Sequence, residues 1–179
     1  HFNHPKELTP GRKILIPGER NEKTWVPYLP SSQRWKYIII HHSATEKGNA
    51  QIFDIGHRKR GFPHGLGYDF VIDNGTYGTQ VGQIEVSDRW YRQMVGAHCK
   101  AQGMNEEGIG ICFVGDFTEG HMQPEQLATG AWLVKRLQEQ YGIPNDHVMR
   151  HRDAKVNGTE CPGNKFPWKT FQEMLAAKE

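Results

Sequence analysis

Three places in this chain combine side chains able to hold a metal ion with the abrupt end of a structural element: His41-His42, His151-Arg152-Asp153, and Cys161. Zinc binds imidazole nitrogen and thiolate sulfur, and catalytic zinc usually takes three protein ligands and leaves a fourth position open. Two His and one Cys would meet that requirement. Side chains alternate along a strand, so only one of His41 and His42 should face a given cleft, and parity alone does not choose between them. Nine residues including Asn157-Gly158 separate His151 from Cys161, enough for a loop to fold back and bring both to one ion. Pro162-Gly163 then fixes the turn after the thiol. Taken singly, each has a plainer explanation: a buried Cys fills a core, and a His pair at a strand end lies on the surface. Together they make a stronger pattern.

These residues need elements to carry them. Trp35-Lys36-Tyr37-Ile38-Ile39-Ile40-His41-His42 is a β-branched run suited to a buried central strand. Asn49 to Arg60 carries Ile52, Phe53 and Ile55 in a polar frame, the pattern of an amphipathic helix closed by Gly61-Phe62-Pro63. Gly67 to Asp73 alternates as a strand, and Asn74-Gly75 predicts a tight hairpin leading into Thr76 to Gln83. Gly108 to Gly115 is a second buried strand. Pro124 opens a helix through Leu127, Ala131, Val134, Leu137 and Tyr141, stopped by Gly142 and Pro144. Val148 to His151 is a short strand end, and Trp168, Phe171 and Met174 or Leu175 are spaced as a last helix after the breaker cluster Cys161-Pro162-Gly163. Strands alternating with helices, plus one hairpin, predict an α/β fold: a single domain with a central mixed sheet flanked by helices. Five prolines in residues 1–34 mark an extended N-terminal arm ahead of a domain at 35–179.

The bulk properties agree with that outline. The chain has 179 residues, 22 Lys plus Arg against 20 Asp plus Glu, and no basic block, which disfavours nucleic acid as a partner. Hydrophobic residues make up 36%, enough for a core and too many for a disordered chain. No apolar run reaches the roughly 18 residues of a transmembrane helix. Three cysteines cannot close a disulfide framework, so at least one thiol is left over. The sequence begins at His1 without Met, as expected of a processed or trimmed chain.

The motifs Ile-Ile-His-His-Ser-Ala-Thr (39–45), Gly-Tyr-Asp-Phe-Val-Ile (67–72), Gly-Ala-His (96–98), Gly-Ile-Gly-Ile-Cys-Phe-Val-Gly-Asp-Phe (108–117), His-Arg-Asp (151–153) and Thr-Glu-Cys-Pro-Gly (159–163) occur together. In that order and spacing the chain resembles, over about residues 35–178, the zinc-dependent N-acetylmuramoyl-L-alanine amidases of the phage-lysozyme and peptidoglycan-recognition-protein type. The resemblance implies zinc on His41, His151 and Cys161. It also implies roles in amide cleavage for Tyr68 and Thr159, and a substrate contact for His98. Phage enzymes of this kind have Lys at the position of Thr159, whereas recognition-protein amidases have Thr. The implied reaction cuts the amide between N-acetylmuramic acid and L-alanine of peptidoglycan stem peptides. The implied location is secreted, periplasmic or at the cell wall. A monomer is expected.

The chemistry suits those roles, because amide hydrolysis needs an activated nucleophile and a holder for the developing oxyanion, and zinc supplies both. Asp153 is either an acceptor behind a ligand His or the partner of Arg152 in a surface ion pair. Arg150 and Glu107-Gly108 depart from the family's usual Gly and Asn-Ser. Cys99 and Cys112 are a disulfide or two core thiols, and unpaired thiols are the expectation. Trp35, Trp90 and Tyr91 could stack on a sugar, but packing is the expectation for each. The rival from another class is a peptidoglycan-binding receptor that keeps the fold without hydrolysis; such relatives often lack the Cys ligand, and Cys161 is present. A structural zinc domain would need a fourth ligand, for which His42 and Cys99 are poorly spaced.

Overall fold

The computed structural model describes residues 28–154 and 158–177. The expected N-terminal arm therefore lies outside the described residues for all but its last part. Five strands, β1 (Tyr37–His42), β2 (Phe70–Asn74), β3 (Val81–Val86), β4 (Gly108–Phe113) and β5 (Val148–Arg150), form one sheet in the order β3-β2-β4-β1-β5. β1 runs parallel to both β4 and β5, β2 runs parallel to β4, and only β3 is antiparallel to its neighbour. The C-terminal ends of four strands thus open on the same side. That rim is where open α/β sheets place their ligands.

Helix α1 (Ala50–Lys59) starts where the Asn49 side chain accepts a hydrogen bond from the Ile52 amide at 2.9 Å, an N-cap that satisfies one free donor. The long helix α4 (Pro124–Tyr141) has Pro at its first position and Gly142 at φ 65° at its end, a left-handed stop that glycine adopts freely. Two short helices, α2 (Asp88–Tyr91) and α3 (Met104–Glu107), were not predicted; four residues are too few for a 3.6-residue period to show. The last helix is α5 (Trp168–Ala176). Mixed sheet and flanking helices are the architecture that the sequence predicts.

One detail differs from expectation. The β2–β3 connection spans residues 75–80 and is wider than a two-residue turn. Asn74 Oδ1 instead accepts from the Thr76 hydroxyl at 2.7 Å, while the Thr79 hydroxyl bonds the Thr76 carbonyl, a side-chain-built loop that competes with the tight turn. Cys99, Cys112 and Cys161 are all free thiols, as expected. Trp35 and Trp90 stack on each other inside the main core, with centroids 5.5 Å apart. Tyr91 packs against that core as well.

The sheet separates two chemistries by the alternation of its side chains. Ile38 and Ile40, Phe70 and Ile72, and Ile109, Ile111 and Phe113 join one apolar core with residues of α4 and α5. On the other face Val71, Cys112 and Val114 join a small cluster with Ala50 and Leu66, against which Phe53 and Tyr68 pack.

Candidate metal centre and active site

His41, next to last in β1, shares its face with Ile39, while His42 shares the core face with Ile38 and Ile40. This settles the parity question. His42 Nδ1 accepts from the Phe117 amide at 3.2 Å, and its ring lies 6.2 Å from that of Phe117. His41 is 1% exposed and meets His151, whose ring is 4.4 Å away, and Cys161, whose Sγ lies 3.7 Å from His41 Nδ1. One ligand atom from each of His41, His151 and Cys161 falls within 4.8 Å of the others. His151 immediately follows β5, so its imidazole is delivered to the same rim as that of His41.

The Cys161 loop is held in place by several contacts. The Arg152 amide donates to the Cys161 carbonyl at 2.9 Å, and the Arg152 guanidinium reaches Asn164 Oδ1 and the Glu160 carbonyl. Gly163, at φ 98°, passes so close to Phe117 that a Cβ would sit 2.3 Å from its carbonyl carbon, so this turn requires glycine. Arg152 is thus committed to the loop. Asp153 takes neither expected role and pairs with Arg150 through two bonds of 2.7 and 3.0 Å.

The donor set fits a soft-to-borderline cation. Burial pushes the His41 imidazole well below its ordinary range, with His98, His151 and His42 adding to the effect. Burial, then His42, lowers His151. Both are therefore neutral, the form that ligates metal. Burial pushes the Cys161 thiol up to about 12, partly opposed by the hydrogen bond from the His42 amide (3.4 Å) and by Arg152. A Cys161 thiolate beside two neutral imidazoles would lack a counter-charge, and a divalent cation would supply it, deprotonating the sulfur as it binds. His151 Nε2 is also buried with no hydrogen-bond partner among the described residues. Such a nitrogen is costly to bury unless something ligates it.

Tyr68 and Thr159 both stand at the cluster. The Tyr68 ring lies 5.1 Å from that of His41, and burial, followed by the Cys112 and Cys161 thiols, pushes its phenol well above the usual range. It stays a donor. Thr159 Oγ1 accepts from the Cys161 amide at 3.2 Å, leaving its own proton free. His98, expected at the cleft, is 8% exposed and sits behind His41, with Nδ1 3.1 Å from His41 Nε2 and Nε2 3.2 Å from the Gly108 carbonyl.

Sequence reasoning missed three supporting residues. The Arg89 guanidinium, 4% exposed, donates to the carbonyls of Leu66, Pro63 and Val95, tying the loop before Tyr68 to the loop before His98. The two loops touch where a Cβ on Gly67 would lie 2.3 Å from the Ala97 carbonyl oxygen. Asn105 Oδ1 accepts from the His98 and Cys99 amides. His57 Nδ1 accepts from the Gly67 amide at 2.9 Å, and its ring packs 5.5 Å from that of Tyr68. The signal for this support lay in Gly96 and in the Gly108 and Gly110 pair, which mark close approach and not turns.

A mixed sheet that presents a His-His-Cys group at the ends of its parallel strands defines a candidate metallo-hydrolase. Residues 31–164, well over half of the chain, match the model of the Amidase_2 family, N-acetylmuramoyl-L-alanine amidase, and the chain belongs to that family. It is 32% identical over 136 residues to Peptidoglycan-recognition protein 2 of Holotrichia diomphalia, covering 72% of this chain and 67% of that protein. Among solved structures, the endolysin N-acetylmuramoyl-L-alanine amidase LysCS from Clostridium intestinale is 31% identical with a TM-score of 0.65, over 88% of this chain and 94% of that one. The human PGRP-IBETAC, solved in complex with a glycosamyl muramyl pentapeptide, shares the fold at 23% identity and a TM-score of 0.60, over 75% and 80% of the two chains.

Proposed function

We propose that this protein is a zinc-dependent amidase that cleaves the bond between N-acetylmuramic acid and L-alanine of peptidoglycan stem peptides. The observation that carries this is the complete His41, His151 and Cys161 set, gathered within 4.8 Å in a chain of the amidase family. In this reading zinc, when bound, supplies Lewis acidity that polarises the scissile carbonyl and makes water nucleophilic near neutral pH. Tyr68, held protonated by its burial, donates to the oxygen on which negative charge develops. Thr159, whose hydroxyl already accepts from the Cys161 amide, has its proton free for the same oxygen or for the leaving nitrogen. Residues 35–179 act as the amidase domain, and a peptidoglycan substrate places the monomeric protein in the cell wall, the periplasm or outside the cell. No helix among the described residues is long and apolar enough to cross a membrane.

The likeness to a peptidoglycan-recognition protein favours one second reading, a receptor that binds the same polymer without cutting it. One experiment separates the two. Purified peptidoglycan is digested with the protein, with and without a chelator, and released fragments are identified by mass. Stem peptides beginning at L-alanine, released only when metal is present, establish the amidase. No release from wall that the protein nevertheless co-sediments with establishes the receptor.

A further inference from the structure

We propose that His98 is a positioning residue that fixes the tautomer and aim of His41, and that Gly96 and Gly110 form the slot that holds it there. The inference rests on the metal-site reading above and assigns His98 a task behind the ligand in place of a contact with substrate.

The chain of hydrogen bonds has only one consistent set of proton positions. The Gly108 carbonyl oxygen can only accept, so His98 Nε2, 3.2 Å away, must carry a proton. A neutral imidazole has one N–H, so His98 Nδ1 is a bare acceptor, and it lies 3.1 Å from His41 Nε2. That nitrogen must then be the donor. His41 Nδ1 is left with a free lone pair on the side where Cys161 Sγ stands 3.7 Å away. A backbone carbonyl thus sets, through one intervening ring, which nitrogen of His41 is presented to the metal. Ligand histidines commonly donate their second N–H to an acceptor in this way, and removing such an acceptor typically weakens metal binding 10–100-fold.

The slot is independent support. A Cβ built on Gly110 would come within 2.5 Å of His98 Cδ2, and one on Gly96 within 2.7 Å of the same atom, so a side chain at either position would force the ring to move. The Gly96 amide donates to the Asn105 carbonyl at 2.8 Å, and Asn105 Oδ1 takes the His98 and Cys99 amides, so the backbone around the ring is closed as well.

The test measures zinc affinity of the full chain by competition with a chromophoric chelator, with zinc alone as the probe. Wild type comes first; if it binds no zinc, the metal-site reading itself falls. Given wild-type binding, His98→Phe should bind zinc about 10–100-fold more weakly. His98→Asn, whose amide oxygen stands near the place of Nδ1 and can still accept from His41, should stay within about threefold of wild type. Cobalt-loaded His98→Phe should show an altered visible ligand-field spectrum, and cobalt-loaded His98→Asn should not. Gly110→Ala keeps every polar group and only displaces the ring, so it too should weaken binding, and it serves if His98→Phe does not fold. Wild-type affinity in His98→Phe or Gly110→Ala, or equal losses in the Phe and Asn variants, would overturn the proposal.

Discussion

The two faces of the central sheet share one backbone and differ in almost everything else. On the core face seven strand side chains (Ile38, Ile40, Phe70, Ile72, Ile109, Ile111 and Phe113) are fully buried under α4 and α5, and Gly130 of α4 lies against the Phe113 ring. On the site face the same strands offer Ile39 and His41, Gly108, Gly110 and Cys112. Small residues there make room for imidazoles that bond one another and the backbone. One face supplies the apolar burial that stabilises the fold, at roughly 25 cal/mol for each Å² removed from water, while the other spends its interior on polar groups that need particular partners. Stability and chemistry are separated by the two-residue period of a strand.

The strongest way to break that separation is Cys161→Ser. It should lower zinc affinity by more than about 100-fold, beyond the loss from an outer-shell partner, and abolish peptide release. Its zinc-free melting temperature should match that of the zinc-free wild type. Zinc content and thermal melts check both. A large loss of stability in the zinc-free variant would make the site face part of the fold's support. Phe113→Ala is the converse: it empties a fully buried ring position packed by Phe166 and Phe171, with centroids at 5.4 and 6.1 Å, and should cost about 3–5 kcal/mol in denaturant unfolding. Zinc affinity of the folded fraction should not change. A matching fall in affinity would show that the faces are coupled through β4.

How much of this was legible in the sequence follows from the same division. The core face announces itself in Ile-Ile-Ile and in the alternate Ile109, Ile111 and Phe113 of Gly-Ile-Gly-Ile-Cys-Phe, because apolar burial is a local, periodic property of strands. The choice of His41 over His42 was legible only through the family resemblance, since alternation fixes that the two point apart and not which way; in space His42 turns to the Phe117 amide and the core. The support behind the site was illegible for a related reason. Arg89 reaches three carbonyls in two loops, and His98 reaches a ring 57 residues away. Such partners leave no periodic trace. Only the glycines that make room for them do.

A smaller effect probes the cost of burying polarity on the site side. Asp69 is fully buried; one oxygen accepts from the Gly110 amide at 2.8 Å and the other has no hydrogen-bond partner among the described residues. Burial raises its carboxyl to about 7 against the pull of that amide, Arg89 and Arg34. The native state therefore holds this proton at pH values where the unfolded chain has lost it. The contribution of this carboxyl to stability should fall as pH rises from about 4 to about 7 and level off above, opposite in sign to that of the buried histidines, whose lowered pKa values favour the native state as pH rises. Asp69→Asn removes the titration, and with it the roughly 2–3 kcal/mol between pH 5 and 8 that a carboxyl held at about 7 contributes by linkage. Urea midpoints at the two values test this, and an unchanged pH slope in the variant would refute it.

The smallest effect sharpens the comparison at its edge. Asp153 lies two residues from His151, a position from which a carboxylate could orient the imidazole, yet it bonds Arg150 instead. The pair is only half-buried, with side chains 31% and 38% exposed, so water and salt screen it. Asp153→Ala should cost less than about 1 kcal/mol and leave zinc affinity at the wild-type value. The contrast with His98 is then one of burial and not of distance along the chain. Asp153 is close to His151 in sequence and bonded elsewhere, whereas His98 is remote from His41 in sequence and bonded directly to it. A tenfold loss of zinc affinity in Asp153→Ala would show that the exposed edge of the site also aims its ligands.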